Sequence, residues 1–192
     1  MLHHLESKNI ILASKSPRRQ DLLKGLDIEF SIQTKDIEEL YPDDIPPQEV
    51  PAYLSKLKAS AFEQELSEND ILITSDTIVI LGDEILEKPK SEKEAKEMIA
   101  KMSGKMHTVV TGVAITSSSK QVVFSDHTQV TFCDLSAEEI NYYIEKYQPF
   151  DKAGSYGVQE WIGYVAIHKL EGSYFTVMGL PLHRLYEELK KF

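Results

Sequence analysis

Only one cysteine, Cys133, occurs among 192 residues. No disulfide can therefore form within the chain, and a reducing compartment suits it. Long apolar runs are also missing: the best, residues 71–81, is broken by Thr74, Ser75, Asp76 and Thr77 and cannot span a bilayer. Basic charge is scarce, with 21 Lys and Arg against 31 Asp and Glu and a formal net charge of −10. A surface that acidic argues against general binding of nucleic acid or anionic membrane, yet leaves room for a compact basic pocket that takes a small polyanion. Neither G-x-x-x-x-G-K-[ST] nor G-x-G-x-x-G occurs, which excludes the two commonest glycine-rich phosphate loops. Gly104-Lys105 lacks both the upstream glycine and the following hydroxyl. No His/Cys/Asp cluster has zinc spacing. Residues 1–9 are polar and carry no apolar leader core, so a cytoplasmic protein is expected.

What is present alternates between strand and helix patterns, the mark of an α/β domain. Residues 10–13 read as a buried strand. Ser16 then stands as a helix N-cap with Pro17 first in the helix, Leu22, Leu23 and Leu26 give an apolar face, and Gly25 suits the C-terminal end. A short strand is expected at 28–32, an acidic, proline-rich loop at 35–51 and an amphipathic helix over 50–66. Residues 71–81 read as a central strand turning at Gly82-Asp83 into a second strand at 84–86. Ser91 with Glu94, and Ser136 with Glu139, predict capping boxes opening helices to about 102 and 147. Residues 109–116 and 121–132 read as a long hairpin, 164–170 as a strand and 181–190 as a terminal helix. No repeat, low-complexity tract or long linker separates domains, so residues 1–192 are expected to form one domain.

The charges in the first helix are of the wrong sign. Arg18 and Arg19 occupy the first turn, where the helix dipole is positive and each cation costs roughly 0.3–1 kcal/mol. Solvated surface arginines are the plain alternative, but the strand-to-helix setting favours an anion held by backbone N–H groups and guanidinium forks. Asp76, inside an apolar strand, is costly to bury unpaired. It either caps or pairs structurally, or faces a pocket to hold a metal or take a proton from water. Glu38-Glu39 can add a carboxylate, while Lys58 and Lys88 are unremarkable in isolation. The stretch "DKAGSYGVQ" (151–159) sets two glycines among polar residues. It is either a surface loop or backbone close to a ligand, where the Gln159 amide, donor and acceptor together, can read a base edge. His3 and His4 read as tail residues and His107 as a structural histidine.

Taken in order, "LASKSPRR", "EE", "LSKLKA", "SDTIV", "EKP", "SGKMHTVVTGVAI", "DKAGSYGVQ" and "GSYFTVMGLPL" resemble the Maf family of nucleoside triphosphate pyrophosphatases across nearly the whole chain. The resemblance implies a mixed α/β fold of the Maf/ITPase-like kind, a long bent sheet with helices in two lobes around a central cleft. It implies hydrolysis of a nucleoside triphosphate to monophosphate and pyrophosphate with a divalent cation, Mg²⁺ or Mn²⁺. Asp76 falls on the catalytic acid/base position and, with Glu39, on the metal-binding side. Arg18, Thr77 and Gln159 fall on positions tied to substrate choice, and Ser14, Arg18, Arg19, Lys58 and Lys88 on phosphate-binding positions. The "DKAGSYGVQ" form is similar to the branch acting on dTTP and UTP. Two departures stand out: Ser75 where alanine is frequent, and Glu160-Trp161 where a small residue is common, with Trp161 placed to reshape the base pocket. A homodimer is expected from the resemblance, while removal of faulty nucleotides and control of growth or division both stay open as the cellular role. The competing reading is a nucleotide-sensing regulator of cell division that does not hydrolyse.

Overall fold

Ile10, Ile11 and Leu12 are buried in strand β1 (Asn9–Leu12) of a computed structural model that describes residues 2–192. Pro17, at the first position, opens helix α1 (Pro17–Lys24) behind the N-cap Ser16. Gly25 stays right-handed at φ −66°, and the left-handed residue that turns the chain is Asp27 at φ 54°. The strand expected at 28–32 shrinks to β2 (Ser31–Ile32). Helix α2 (Val50–Ser60) follows a 3₁₀ turn at Pro47–Glu49 and ends well short of residue 66. Its continuation is a run of turns anchored from afar: Lys35 Nζ donates to the Ala61 carbonyl and to Glu65, both at 2.6 Å.

Strand β3 (Asp70–Leu81) is buried almost throughout, as a strand covered on both faces must be. It pairs in parallel with β1, Ile11 opposite Leu72, and antiparallel with β4 (Glu84–Leu86). Helix α3 (Glu92–Met102) starts at Ser91, whose hydroxyl accepts from Glu94 N–H. Its expected capping box is altered, because the Glu94 carboxylate accepts from Lys90 N–H at 2.7 Å, one residue ahead of the cap. Strands β5 (Met106–Thr116) and β6 (Gln121–Phe132) follow, and helix α4 (Ala137–Tyr147) opens with the complete Ser136/Glu139 box. The strand expected at 164–170 is instead helix α5 (Trp161–Ala166) followed by β7 (Ile167–Glu171). Ile162 and Ala166, four apart, are both fully buried, a spacing that a helix satisfies. Helices α6 (Tyr174–Met178) and α7 (Leu182–Leu189) close the chain. The sheet runs β2-β1-β3-β5-β6-β7 with β4 beside β3, a mixed seven-stranded sheet.

The chain divides into two compact units, one of residues up to Asp76, Thr111–Asp126 and Gly179–Phe192, the other of Thr77–Val110 and His127–Met178. In the first unit Ile11, Ala59, Phe62, Leu72 and Ala114 form a core between β1, β3, β5 and the segment through α2. Helix α2 lies flush on the sheet because Gly112 in β5 has no side chain: a Cβ there would stand 2.2 Å from the Pro51 carbonyl carbon. The second unit is built around Ile99, Met102, Phe132, Tyr143 and Ile144. His107 lies in it, edge-on to the rings of Phe132 and Tyr156, with Nε2 2.8 Å from the Tyr156 hydroxyl. Burial lowers its pKa from 6.5 to about 4, so the ring is neutral and structural, as the sequence suggests. Cys133 is exposed and free. Among the described residues no helix is long and apolar enough to cross a membrane.

Candidate active site

In the first unit the two arginines, two carboxylates and one lysine singled out from the sequence come together. Asp76, only 8 % exposed, ends the first unit's share of β3. Lys58, in the last turn of α2 where the helix dipole favours a cation, reaches it with Nζ 2.5 Å from Oδ1. The same ammonium lies 3.2 Å from Glu39 Oε1, brought in by the acidic loop. The height of Lys58 over the strand is fixed one turn earlier, where Thr74 Oγ1 donates to the Ser55 carbonyl at 2.7 Å.

Arg19 is tied to the same strand. Its Nε donates to the Gly179 carbonyl at 2.8 Å and its Nη1 to the Ser75 carbonyl at 2.9 Å, one residue before Asp76. The Ser75 hydroxyl donates to the Gly179 carbonyl at 3.1 Å, so Ser75 adds a further tie. Burial lowers the Arg19 pKa; Asp76 and Glu39 work against that shift, and Arg18 adds to it. Arg18, Arg19, Glu39 and Asp76 thus share one electrostatic neighbourhood. Ser14 is buried; its hydroxyl accepts from Ser16 N–H at 3.2 Å and its carbonyl from Gln20 Nε2 at 3.2 Å. Ser16 makes no side-chain cap to α1, so the start of that helix is not closed by its own N-cap hydroxyl.

Thr77, Lys88 and Gln159 belong to the second unit. Thr77 is half-buried in β3 and Lys88 is exposed after β4, with the following Pro89 buried. Lys88 lines a cavity of about 270 Å³ together with Glu84, Glu87, Glu94 and Glu97. Those glutamates outnumber the cavity's lysines, so the cavity itself is not where a polyphosphate would sit, and a role for Lys88 toward phosphate lies outside it. Gln159 is the third residue of a tight turn closed by Glu160 N–H donating to the Gly157 carbonyl at 3.0 Å. Trp161 packs edge-on against Tyr142 of α4, with ring centroids 4.9 Å apart.

Divalent cations of the Mg²⁺ or Mn²⁺ type require hard oxygen donors. Glu39 and Asp76 supply them and converge on one positive point, the Lys58 ammonium, so the donor chemistry fits such an ion. No cluster of three or more His, Cys, Asp or Glu side chains occurs among the described residues, so the remaining ligands would come from water and substrate oxygens. Sequence reasoning missed Tyr143 of α4, whose hydroxyl accepts from Gly157 N–H at 3.0 Å and so holds the Gln159 turn from a distant helix.

Known proteins give this arrangement its setting. Residues 9–192 match the model of the family described as Maf-like protein. The dTTP/UTP pyrophosphatase of Phocaeicola vulgatus is 51 % identical over 192 residues, covering all of both chains. That of Parabacteroides distasonis is 48 % identical over 193 residues, again over the full length of both. Among solved structures, the Ham1 protein of Staphylococcus aureus aligns with a TM-score of 0.50 at 16 % identity, over 66 % of this chain and 73 % of that one, a likeness of fold alone. The chain belongs to the Maf family.

Proposed function

We propose that this chain is a dTTP/UTP pyrophosphatase, hydrolysing these nucleoside triphosphates to the monophosphate and pyrophosphate. The observation that carries the reading is the convergence of Asp76 and Glu39 on Lys58, beside an arginine anchored one residue before Asp76. Arg18, Arg19, Ser14 and the first amides of α1 bind the phosphate chain, which answers the adverse charge at that helix end. Asp76 orients a water molecule and takes its proton as the oxygen attacks the α-phosphorus. The bond from that phosphorus to the bridging oxygen breaks, and pyrophosphate leaves with its charge offset by Lys58 and Lys88. Glu39 and Asp76 hold Mg²⁺ or Mn²⁺, which when bound neutralises phosphate charge. Gln159 accepts from N3–H and donates to a ring carbonyl of thymine or uracil, with Arg18 and Thr77 contributing to substrate choice.

The reading extends to a cytoplasmic homodimer of one-domain, two-lobed subunits spanning residues 1–192, on the strength of the family likeness. Incubation with dTTP, UTP and GTP plus Mn²⁺, with pyrophosphate counted, tests the activity. Release from dTTP and UTP well above GTP supports it. Nucleotide binding without pyrophosphate would instead establish the nucleotide-sensing regulator.

A further inference from the structure

We propose that Glu160 is a specificity-positioning residue that fixes the orientation of the Gln159 carboxamide, and so decides which pyrimidine the enzyme accepts; this rests on Gln159 reading the base. The turn Gly157-Val158-Gln159-Glu160 is closed twice. Its backbone bond runs from Glu160 N–H to the Gly157 carbonyl. A second bridge passes through Tyr143 of α4: its hydroxyl donates to Glu160 Oε2 and accepts from Gly157 N–H at 3.0 Å. Glu160 Oε1 lies 3.0 Å from Lys152 Nζ, which also contacts Asp151 at 2.8 Å. Lys152 is itself buried, so the carboxylate is held from two sides by groups with little freedom. Burial and the Glu160 carboxylate push the Tyr143 hydroxyl pKa up, which keeps its proton available for this bond.

The clamp and the Gln159 amide lie over the same glycine. A Cβ built on Gly157 would meet Glu160 Oε2 at 2.9 Å and Gln159 Nε2 at 3.1 Å. The carboxylate oxygen and the amide nitrogen therefore flank the same bare glycine carbon. A negative oxygen there favours the amide with its NH₂ on that side and disfavours the flipped form, which would bring two acceptors together. The consequence is chemical. Thymine and uracil offer an N3–H donor beside a carbonyl acceptor, whereas cytosine offers an N3 acceptor beside an amino donor. A fixed amide matches one pattern; an amide free to flip matches both.

The test compares dTTP with dCTP. Glu160→Gln keeps the shape of the turn and removes the charge, and Tyr143→Phe keeps the buried ring and removes the bridge. Both are expected to raise kcat/KM for dCTP relative to dTTP by about tenfold, through KM rather than kcat. Gln159→Ala should abolish the discrimination, and Glu160→Gln added to it should change the ratio no further. If Gln159→Ala raises the dCTP-to-dTTP ratio while neither clamp variant does, the positioning role is overturned and the reading of Gln159 stands. If Gln159→Ala leaves the ratio intact, that reading fails and the proposal falls with it. An equal loss of kcat on both nucleotides would reduce Glu160 to a structural role and overturn the proposal.

Discussion

Lys58 Nζ lies 2.5 Å from Asp76 Oδ1, joining the last turn of α2 to the buried strand β3. The pair explains how a carboxylate is tolerated at a position that is 8 % exposed, since an ammonium partner and its hydrogen bond offset much of the desolvation cost. Replacing Asp76 by Asn keeps an oxygen toward Lys58 but removes the group that accepts a proton from water. Turnover of dTTP should fall by about a thousandfold while nucleotide binding persists. Pyrophosphate release and binding calorimetry check the two halves; near-normal release would remove Asp76 from the mechanism.

Lys58 also reaches Glu39 at 3.2 Å, so its charge opposes any cation drawn to the same two carboxylates. Lys58→Met should therefore tighten Mn²⁺ binding without nucleotide by about tenfold, while lowering turnover. Free Mn²⁺ measured by electron paramagnetic resonance reads the first effect. Weaker binding in the variant would mean that the two carboxylates are not the ion's ligands.

Much of this constellation was legible because sign and burial conflict with local preference. Two arginines at a positive helix end and an aspartate in an apolar strand each demand a partner, and order along the chain supplied the family. The rest depended on contacts between distant residues. Helix α2 stops at Ser60 because Lys35, from the preceding loop, takes the Ala61 carbonyl. The aromatic, β-branched run at 161–166 has strand composition, yet the core takes Ile162 and Ala166 from one helix face. Tyr143 carries no local mark of holding a turn fourteen residues later in the chain.

Arg19 reads from sequence as a phosphate ligand, but two of its nitrogens serve the carbonyls of Ser75 and Gly179. A lysine has the charge without the fork and cannot replace both bonds in that geometry. Arg19→Lys should therefore cost about 2 kcal/mol of stability as well as activity, since one charge-assisted hydrogen bond to a carbonyl is lost. Urea denaturation beside steady-state kinetics separates this from a pure ligand role, in which KM would change and the unfolding midpoint would not.

Gly112 offers a way to disturb the site from behind. Its missing Cβ admits the Pro51 backbone, and a methyl group there would meet the carbonyl carbon at 2.2 Å and the carbonyl oxygen at 2.3 Å. Backbone cannot swing aside as a side chain does, so Gly112→Ala should displace α2 and cost about 3 kcal/mol. Because Lys58 rides on that helix, kcat/KM for dTTP should fall in the surviving folded protein. A variant with unchanged midpoint and kinetics would contradict the close approach.

His107 gives a stability prediction with a fixed sign. Its pKa is about 4 in the folded chain against an ordinary 6.5, because burial among Phe132 and Tyr156 disfavours the charged ring. Between those values the unfolded chain binds the proton that the folded chain refuses, so the stabilisation is complete above 6.5 and is lost as pH falls toward 4. From about pH 7 to about pH 5 this one residue should cost about 2 kcal/mol. His107→Gln lacks the titration, so its urea midpoint should fall correspondingly less over the same interval. Parallel pH slopes in the two proteins would show that the ring titrates alike whether the chain is folded or not.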